Sequence, residues 1–193
     1  MVHKGTVRLE TERLLLRQFT IDDMEQIYNN CWSDRDIWKW TNYKPMPCLE
    51  AVQSVAGMFT EKWLGAYERA NRYSWAIQLK ETGEVIGRFF GMHPDNDLRQ
   101  VELGYELGRA WWNQGLMTEA VKKVMEFFFE EVGFNRIFAW HASENPASGR
   151  VMQKCGMIYE GTLRQAHICN NGIVDAVYYS ILAKEYKGDL KIG

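Results

Sequence analysis

Between Val101 and Met157 the chain leaves itself few ways to fold. A glycine-broken strand runs into a tight loop around Gly115, an apolar helix opens directly behind the loop, a second strand follows, and Asn145-Pro146 starts another helix. The first N–H groups of a helix have no partner inside it, and the helix dipole favours negative charge there. Glycine at 115 lets an anion approach the main chain with no Cβ in the way. The N–H groups from Gly115 through Thr118 would then point at that anion, the arrangement a pyrophosphate needs. A single glycine ahead of a helix also fits a plain turn, and this spacing alone leaves both readings open.

The rest of the chain supplies layers around that unit. Thr6 to Phe19 predicts one strand centred on Leu14-Leu15-Leu16, and Thr20 to Asp23 a helix start burying Met24, Ile27 and Tyr28. Pro45 and Pro47 break the chain. A longer helix is expected from about Leu49 to Arg69, with Val52, Val55, Ala56, Phe59, Trp63 and Tyr67 on one stripe. From Tyr73 the period changes to two, giving strands over 74–79, 85–92 and 101–107 with a hairpin turn at Glu81 to Glu84. Met117 to Val132 predicts a helix stopped by Gly133, followed by a strand over 136–141 and a helix over 146–154. Two strands, 157–167 and 173–183, close the chain about Asn170-Asn171-Gly172. Gly104 and Gly108 suit either a strand that bulges and leaves its neighbour or ordinary bulge and turn positions. The expected fold is α/β (α+β): a mixed, mostly antiparallel central sheet flanked by helices, not a doubly wound nucleotide fold. It is expected as a single domain, 1–193, with a helical elaboration at about 22–69 and a core at about 101–157.

Several function classes drop out. A net charge of −2 gives no electrostatic case for nucleic-acid or membrane binding. Cys31, Cys48, Cys155 and Cys169 form no CxxC pair and no His cluster stands beside them, so no metal is expected. No apolar run approaches the ~20 residues that span a bilayer, the amino-terminal run lacks a signal-peptide core, and a cytoplasmic location is expected. Neither GxxxxGK[ST] nor an early GxGxxG is present, which disfavours an NTPase or a dehydrogenase.

The loop Trp112-Asn113-Gln114-Gly115-Leu116-Met117-Thr118-Glu119-Ala120 resembles the "W-G-x-G-x-x-T-E-A" loop of the GNAT N-acetyltransferases, closest to their ribosomal-protein-alanine (RimJ/RimL-type) branch. LETERLLLRQFTIDDMEQIY is similar to that family's opening strand and helix, and GTLRQAHICNNGIVDAVYYSIL to its closing hairpin, so the likeness covers nearly the whole chain. It implies acetyl-coenzyme A as cosubstrate, held by backbone donors at Trp112, Asn113, Gln114, Gly115, Leu116, Met117 and Thr118. It also implies splayed strands after Leu107 and near His141, with the pantetheine arm in the gap. Asn145 and Ser148 match the family's "E-N-x-x-S" helix opening, where Asn145 would meet the pantetheine amides; capping the helix is its other job. The chain departs from the wider Arg/Gln-x-x-Gly-x-Gly/Ala pattern by carrying Trp112 and Met117 at the first and last places, which bears on how the adenine end is gripped.

Moving an acetyl group to an amine requires the amine to lose a proton, the carbonyl oxygen to be polarised and the departing thiolate to be protonated. A main-chain N–H near Leu107 suits the second demand. Glu106 is a candidate base, or a solvated or salt-bridged strand residue; Glu102 shares its face by the two-residue period. The family's acidic tyrosine falls at Met152, and Ser148 resembles the serine used instead, against a plain first-turn serine. His167 lies where the branch carries an acidic base, and is equally a surface histidine beside a turn. His141 and Cys155 read as strand-end and helix-packing residues. The implied partners are acetyl-CoA and an amine acceptor, either a protein amino-terminus or a small amine, with a homodimer among the possibilities. Trp32, Trp38, Trp40 and Tyr43 are expected to wall the acceptor cleft or to fill a core. The alternative function is a non-catalytic acyl-CoA-binding module.

Overall fold

A computed structural model of the chain describes residues 1–52 and 65–186. Among them eight strands form one sheet: β1 (Leu9–Glu10), β2 (Leu14–Arg17), β3 (Tyr73–Leu79), β4 (Val85–Asp95), β5 (Gln100–Leu107), β6 (Arg136–Ala142), β7 (Ile158–Cys169) and β8 (Gly172–Leu182). Their spatial order is β1-β2-β3-β4-β5-β6-β8-β7. Neighbours are antiparallel except β5 and β6, which run parallel. Helices among the described residues include α1 (Asp23–Ile27), α2 (Arg35–Trp38), α3 (Leu116–Glu126) and α4 (Pro146–Lys154). Of the expected stripe along 49–69, Val55, Ala56, Phe59 and Trp63 lie outside the described residues.

Three local expectations change. The single amino-terminal strand is a hairpin. Thr11 N–H donates to Leu14 O at 3.0 Å and Leu14 N–H donates to Thr11 Oγ1 at 2.9 Å, so the chain reverses over Glu12-Arg13 without glycine or proline. The helix behind Gly115 widens at Phe127–Val132 into a π-helical turn before Gly133 ends it at φ 86°. Gly104 marks no bulge, because the β4–β5 register is continuous there and the irregularity falls between Met92 and Asp95. The ring of Phe90, its cross-strand partner, lies over Gly104, where a Cβ would clash with Cε2.

Alternation along β3 divides the interior in two. Trp75 and Ile77 point to a large core with Phe89, Leu103, Val124, Phe127 and Phe128 under α3 and α4. Ala76 points to a second core with Phe19, Met24, Ile27, Trp32 and Trp38 under α1 and α2. Each such large side chain contributes about 1.5–3 kcal/mol when fully buried, which holds the two helical layers on opposite faces of the sheet. The site lies where these layers meet an interruption in the sheet.

Candidate active site

That interruption is between β5 and β6. The strands pair only at Gln100↔Arg136, Val101↔Ile137 and Glu102↔Phe138, although β5 continues to Leu107 and β6 to Ala142. Gly108 N–H bonds to Ile86 O at 2.8 Å. By antiparallel alternation this places Glu106 in the bonded register with Arg88 and turns the main-chain groups of Leu103, Tyr105 and Leu107 into the gap. Tyr105 spans the opening on one face, its hydroxyl donating to Ser148 O at 3.1 Å. Burial pushes that hydroxyl far above the ordinary tyrosine range.

At the wide end of the gap stands the Gly115 loop. Gly115 has φ 79° and Asn113 φ 60°, left-handed values that let successive N–H groups converge. The first α-type bond of α3 is Glu119 N–H to Gly115 O at 3.0 Å. Among the described residues, the N–H groups of Gly115, Leu116, Met117 and Thr118 have no protein acceptor. Leu116 and Met117 send their side chains into the large core, so only their backbone faces the opening. This row of orphaned donors fits a pyrophosphate, and Arg150 and Lys154 of α4 line the same cleft. Gln114 does not line it; its amide donates back to Ala110 O at 2.9 Å. Trp112 holds the strand end, with Nε1 donating to Leu107 O at 2.6 Å.

Arg13, which sequence reasoning missed, braces this loop from the β1–β2 turn. It reaches Gln114 O at 3.0 Å and Glu119 at 2.7 and 2.8 Å. Burial pushes the Glu119 carboxyl up, but bonds from Thr11 and Arg13 and the Arg13 charge outweigh it and hold the group below the usual range. Nothing local in the sequence marks Arg13, since its partner lies 106 residues away.

The cleft, roughly 1300 Å³, continues through the gap to the other face of the sheet, where Trp32, Trp38, Trp40, Tyr43, Phe90 and Trp140 wall it. Glu106 is buried there. Trp32 Nε1 donates to its Oε1 at 2.8 Å and Arg88 Nε forms an ion pair with the same oxygen at 2.9 Å. His167 stacks on Trp140 at 3.9 Å and its Nε2 shares a 2.7 Å bond with the Tyr178 hydroxyl. Ser148 Oγ accepts from Asn145 Nδ2 at 3.1 Å, so Asn145 opens α4 without capping it through its side chain. Glu106, Leu107, Asn145, Ser148 and His167 all line one cleft with the loop. Met152 is in the core, and His141 is buried against Gly149. Cys155 is buried as well, and burial pushes its thiol up to about 12, unsuited to a nucleophile.

One clasp closes the aromatic side of the cleft. Asn170, in the β7–β8 turn, donates Nδ2 to Trp38 O at 2.9 Å and to Tyr43 O at 2.7 Å, and its N–H to Thr41 O at 2.8 Å. The aromatic segment after α2 is thereby tied to a turn 132 residues away. No group of three or more His, Cys, Asp or Glu is placed to hold a metal among the described residues. No helix among them is long and apolar enough to cross a membrane.

Residues 13–158 match the family model described as an acetyltransferase (GNAT) domain. An uncharacterized N-acetyltransferase p20 of Bacillus licheniformis is 33% identical over 180 residues, covering 93% of this chain and 98% of that protein. A ribosomal-protein-serine acetyltransferase of Escherichia coli is 26% identical over 110 residues, 56% of this chain and 60% of its own length. The ribosomal-protein-S5-alanine acetyltransferase of Vibrio fischeri superposes with a TM-score of 0.80 at 17% identity, covering 94% of this chain and 99% of its own. The chain belongs to the GNAT acetyltransferase family, and its sheet with helices on both faces is the GNAT fold.

Proposed function

We propose that this acetyltransferase moves the acetyl group of acetyl-coenzyme A to a primary amine by direct attack in a ternary complex. The observation that carries the reading is the gap beyond Glu102 and Phe138, with four orphaned N–H groups at its wide end and an aromatic-walled cleft on its far side. Acetyl-CoA supplies the activated thioester. Gly115, Leu116, Met117 and Thr118 bind the pyrophosphate by main-chain N–H, with Trp112 and Asn113 shaping the loop. Asn145 meets the pantetheine amides, one of the main-chain N–H groups that β5 turns into the gap at Leu103, Tyr105 and Leu107 polarises the carbonyl oxygen, and the Ser148 hydroxyl returns a proton to the thiolate. Glu106 and His167, engaged by Trp32, Arg88 and Tyr178, fix the walls of the acceptor cleft.

For the acceptor, we favour the amino-terminal amine of a protein over a small amine. The aromatic walls suit a peptide backbone with one apolar side chain, and the names of the Escherichia coli and Vibrio fischeri relatives place ribosomal proteins among the substrates of related enzymes. Purified protein with acetyl-CoA is expected to release free thiol fastest with peptides beginning in alanine or serine, and more slowly with spermidine or free amino acids. No thiol release with any of these amines would sink acetyl transfer. Faster release with the small amines would sink the peptide acceptor alone.

A further inference from the structure

Glu106 Oε1 and His167 Nε2 are already engaged by neighbours, and the cleft holds a third, more exposed group able to take the amine's proton. His93 sits at the β4 irregularity between Met92 and Asp95, with φ 48°, a left-handed value that a non-glycine residue seldom adopts. Bulges re-aim side chains, and strained residues concentrate at working sites. The result here is specific. His93 Nδ1 lies 3.0 Å from Glu102 Oε2. An ionised carboxylate only accepts, so Nδ1 carries the hydrogen and the lone pair is left on Nε2. Glu102 is nearly enclosed, its side chain 12% exposed, while the His93 side chain is 78% exposed. The carboxylate is therefore a fixed anchor and the imidazole an accessible end. Both residues line the cleft, and Glu102 belongs to the last pair before β5 and β6 part.

We propose that the His93–Glu102 dyad is the proton acceptor for the incoming amine, a reading that rests on the acetyl-transfer function above. His93 Nε2 takes a proton from R–NH3⁺ and becomes imidazolium, steadied by the Glu102 carboxylate through Nδ1–H. The freed amine forms the C–N bond to the acetyl carbon as the C–S bond breaks, and the sulfur leaves with the electron pair. The second amine proton leaves through water as the amide forms and restores the hydroxyl of Ser148, which has given its own proton to the sulfur, and His93 returns its proton to solvent. His93 is the catalytic residue here and Glu102 the positioning residue.

The test is steady-state turnover of a peptide beginning in alanine, by the wild-type chain and by His93→Ala and Glu102→Gln, with acetyl-CoA binding and thermal midpoint measured for each. His93→Ala is expected to lower kcat about 100-fold, with the dissociation constant for acetyl-CoA within about twofold of wild type. Added imidazole should restore about tenfold of that loss, because the exposed position leaves room for the free base. Glu102→Gln should lower kcat by less. A His93→Ala kcat within about twofold of wild type overturns the dyad, as does a loss that imidazole leaves unchanged. No turnover by the wild-type chain overturns the acetyl-transfer reading itself, a different failure.

Discussion

The two ends of the cleft are built by opposite means. At the loop end, the groups offered to the cleft are main-chain amides close together in sequence, Gly115 to Thr118, and the side chains beside them mostly brace the fold. At the end proposed for the acceptor the working surface is joined from different elements: Trp32 to Glu106 and Asn170 to Trp38 across long separations, and His93 to Glu102 across one hairpin. Backbone donors are fixed by dihedral angles, so they tolerate changes of side chain. A wall assembled across long separations depends on each of its fasteners, so the acceptor end is where small substitutions are expected to alter which amine is used.

The sharpest way to break this contrast is at Gly115. Its φ of 79° disfavours any β-branched residue, so Gly115→Val should turn the loop away and raise the dissociation constant for acetyl-CoA about 100-fold, roughly 2.7 kcal/mol. The KM for the amine should stay within about twofold. Calorimetric titration of the cofactor and steady-state kinetics separate the two. An equal loss at both ends would show that they are not independent.

Asn170→Ala tests the other end with a smaller effect. It removes two hydrogen bonds at Nδ2, about 0.5–1.5 kcal/mol each. The KM for a peptide acceptor should rise about tenfold with acetyl-CoA affinity unchanged. A shift in cofactor affinity alone would contradict the division.

How far the sequence reveals this molecule follows the same line. Helix α4 begins at Pro146 and ends at Lys154 as its Asn-Pro start and Gly156 stop predict, and the strand ending at Leu107 ends where expected. These are local signals. The β1–β2 reversal escaped because Thr11-Glu12-Arg13 has no glycine, proline or asparagine, its turn being held by a threonine hydroxyl. Gly104 invited a bulge reading because the ring that needs its bare Cα comes from Phe90, on another strand. His93 passed unremarked since neither its backbone angle nor Glu102 beside it can be read from HPD. The tie between Asn170 and Trp38 leaves no local trace.

The smallest expected effect concerns acid. Each end has a carboxylate held low by an arginine: Glu119 by Arg13 near the loop, and Asp23 by Arg17 under the acceptor layer. Burial pushes Asp23 up, but the two-point Arg17 contact at 2.7 and 2.8 Å and the bonds from Thr20 outweigh it. A folded value below the unfolded one, about 3.9 for aspartate, means the stability is present above that value. It is lost as pH falls through the folded value. Thermal midpoints should be level near neutrality and decline below about pH 4, and Asp23→Asn should flatten part of the decline. A midpoint that rises on acidification would reverse the sign argued here.

Because the opening pierces the sheet from one face to the other, the molecule has two doors. In the proposed reaction a nucleotide-bearing donor and its spent thiol would use the one beside α3, and the amine and its acylated product the one under the tryptophans. On that reading neither product would have to wait behind the other to leave, and exchange on one face could proceed while the other is still occupied.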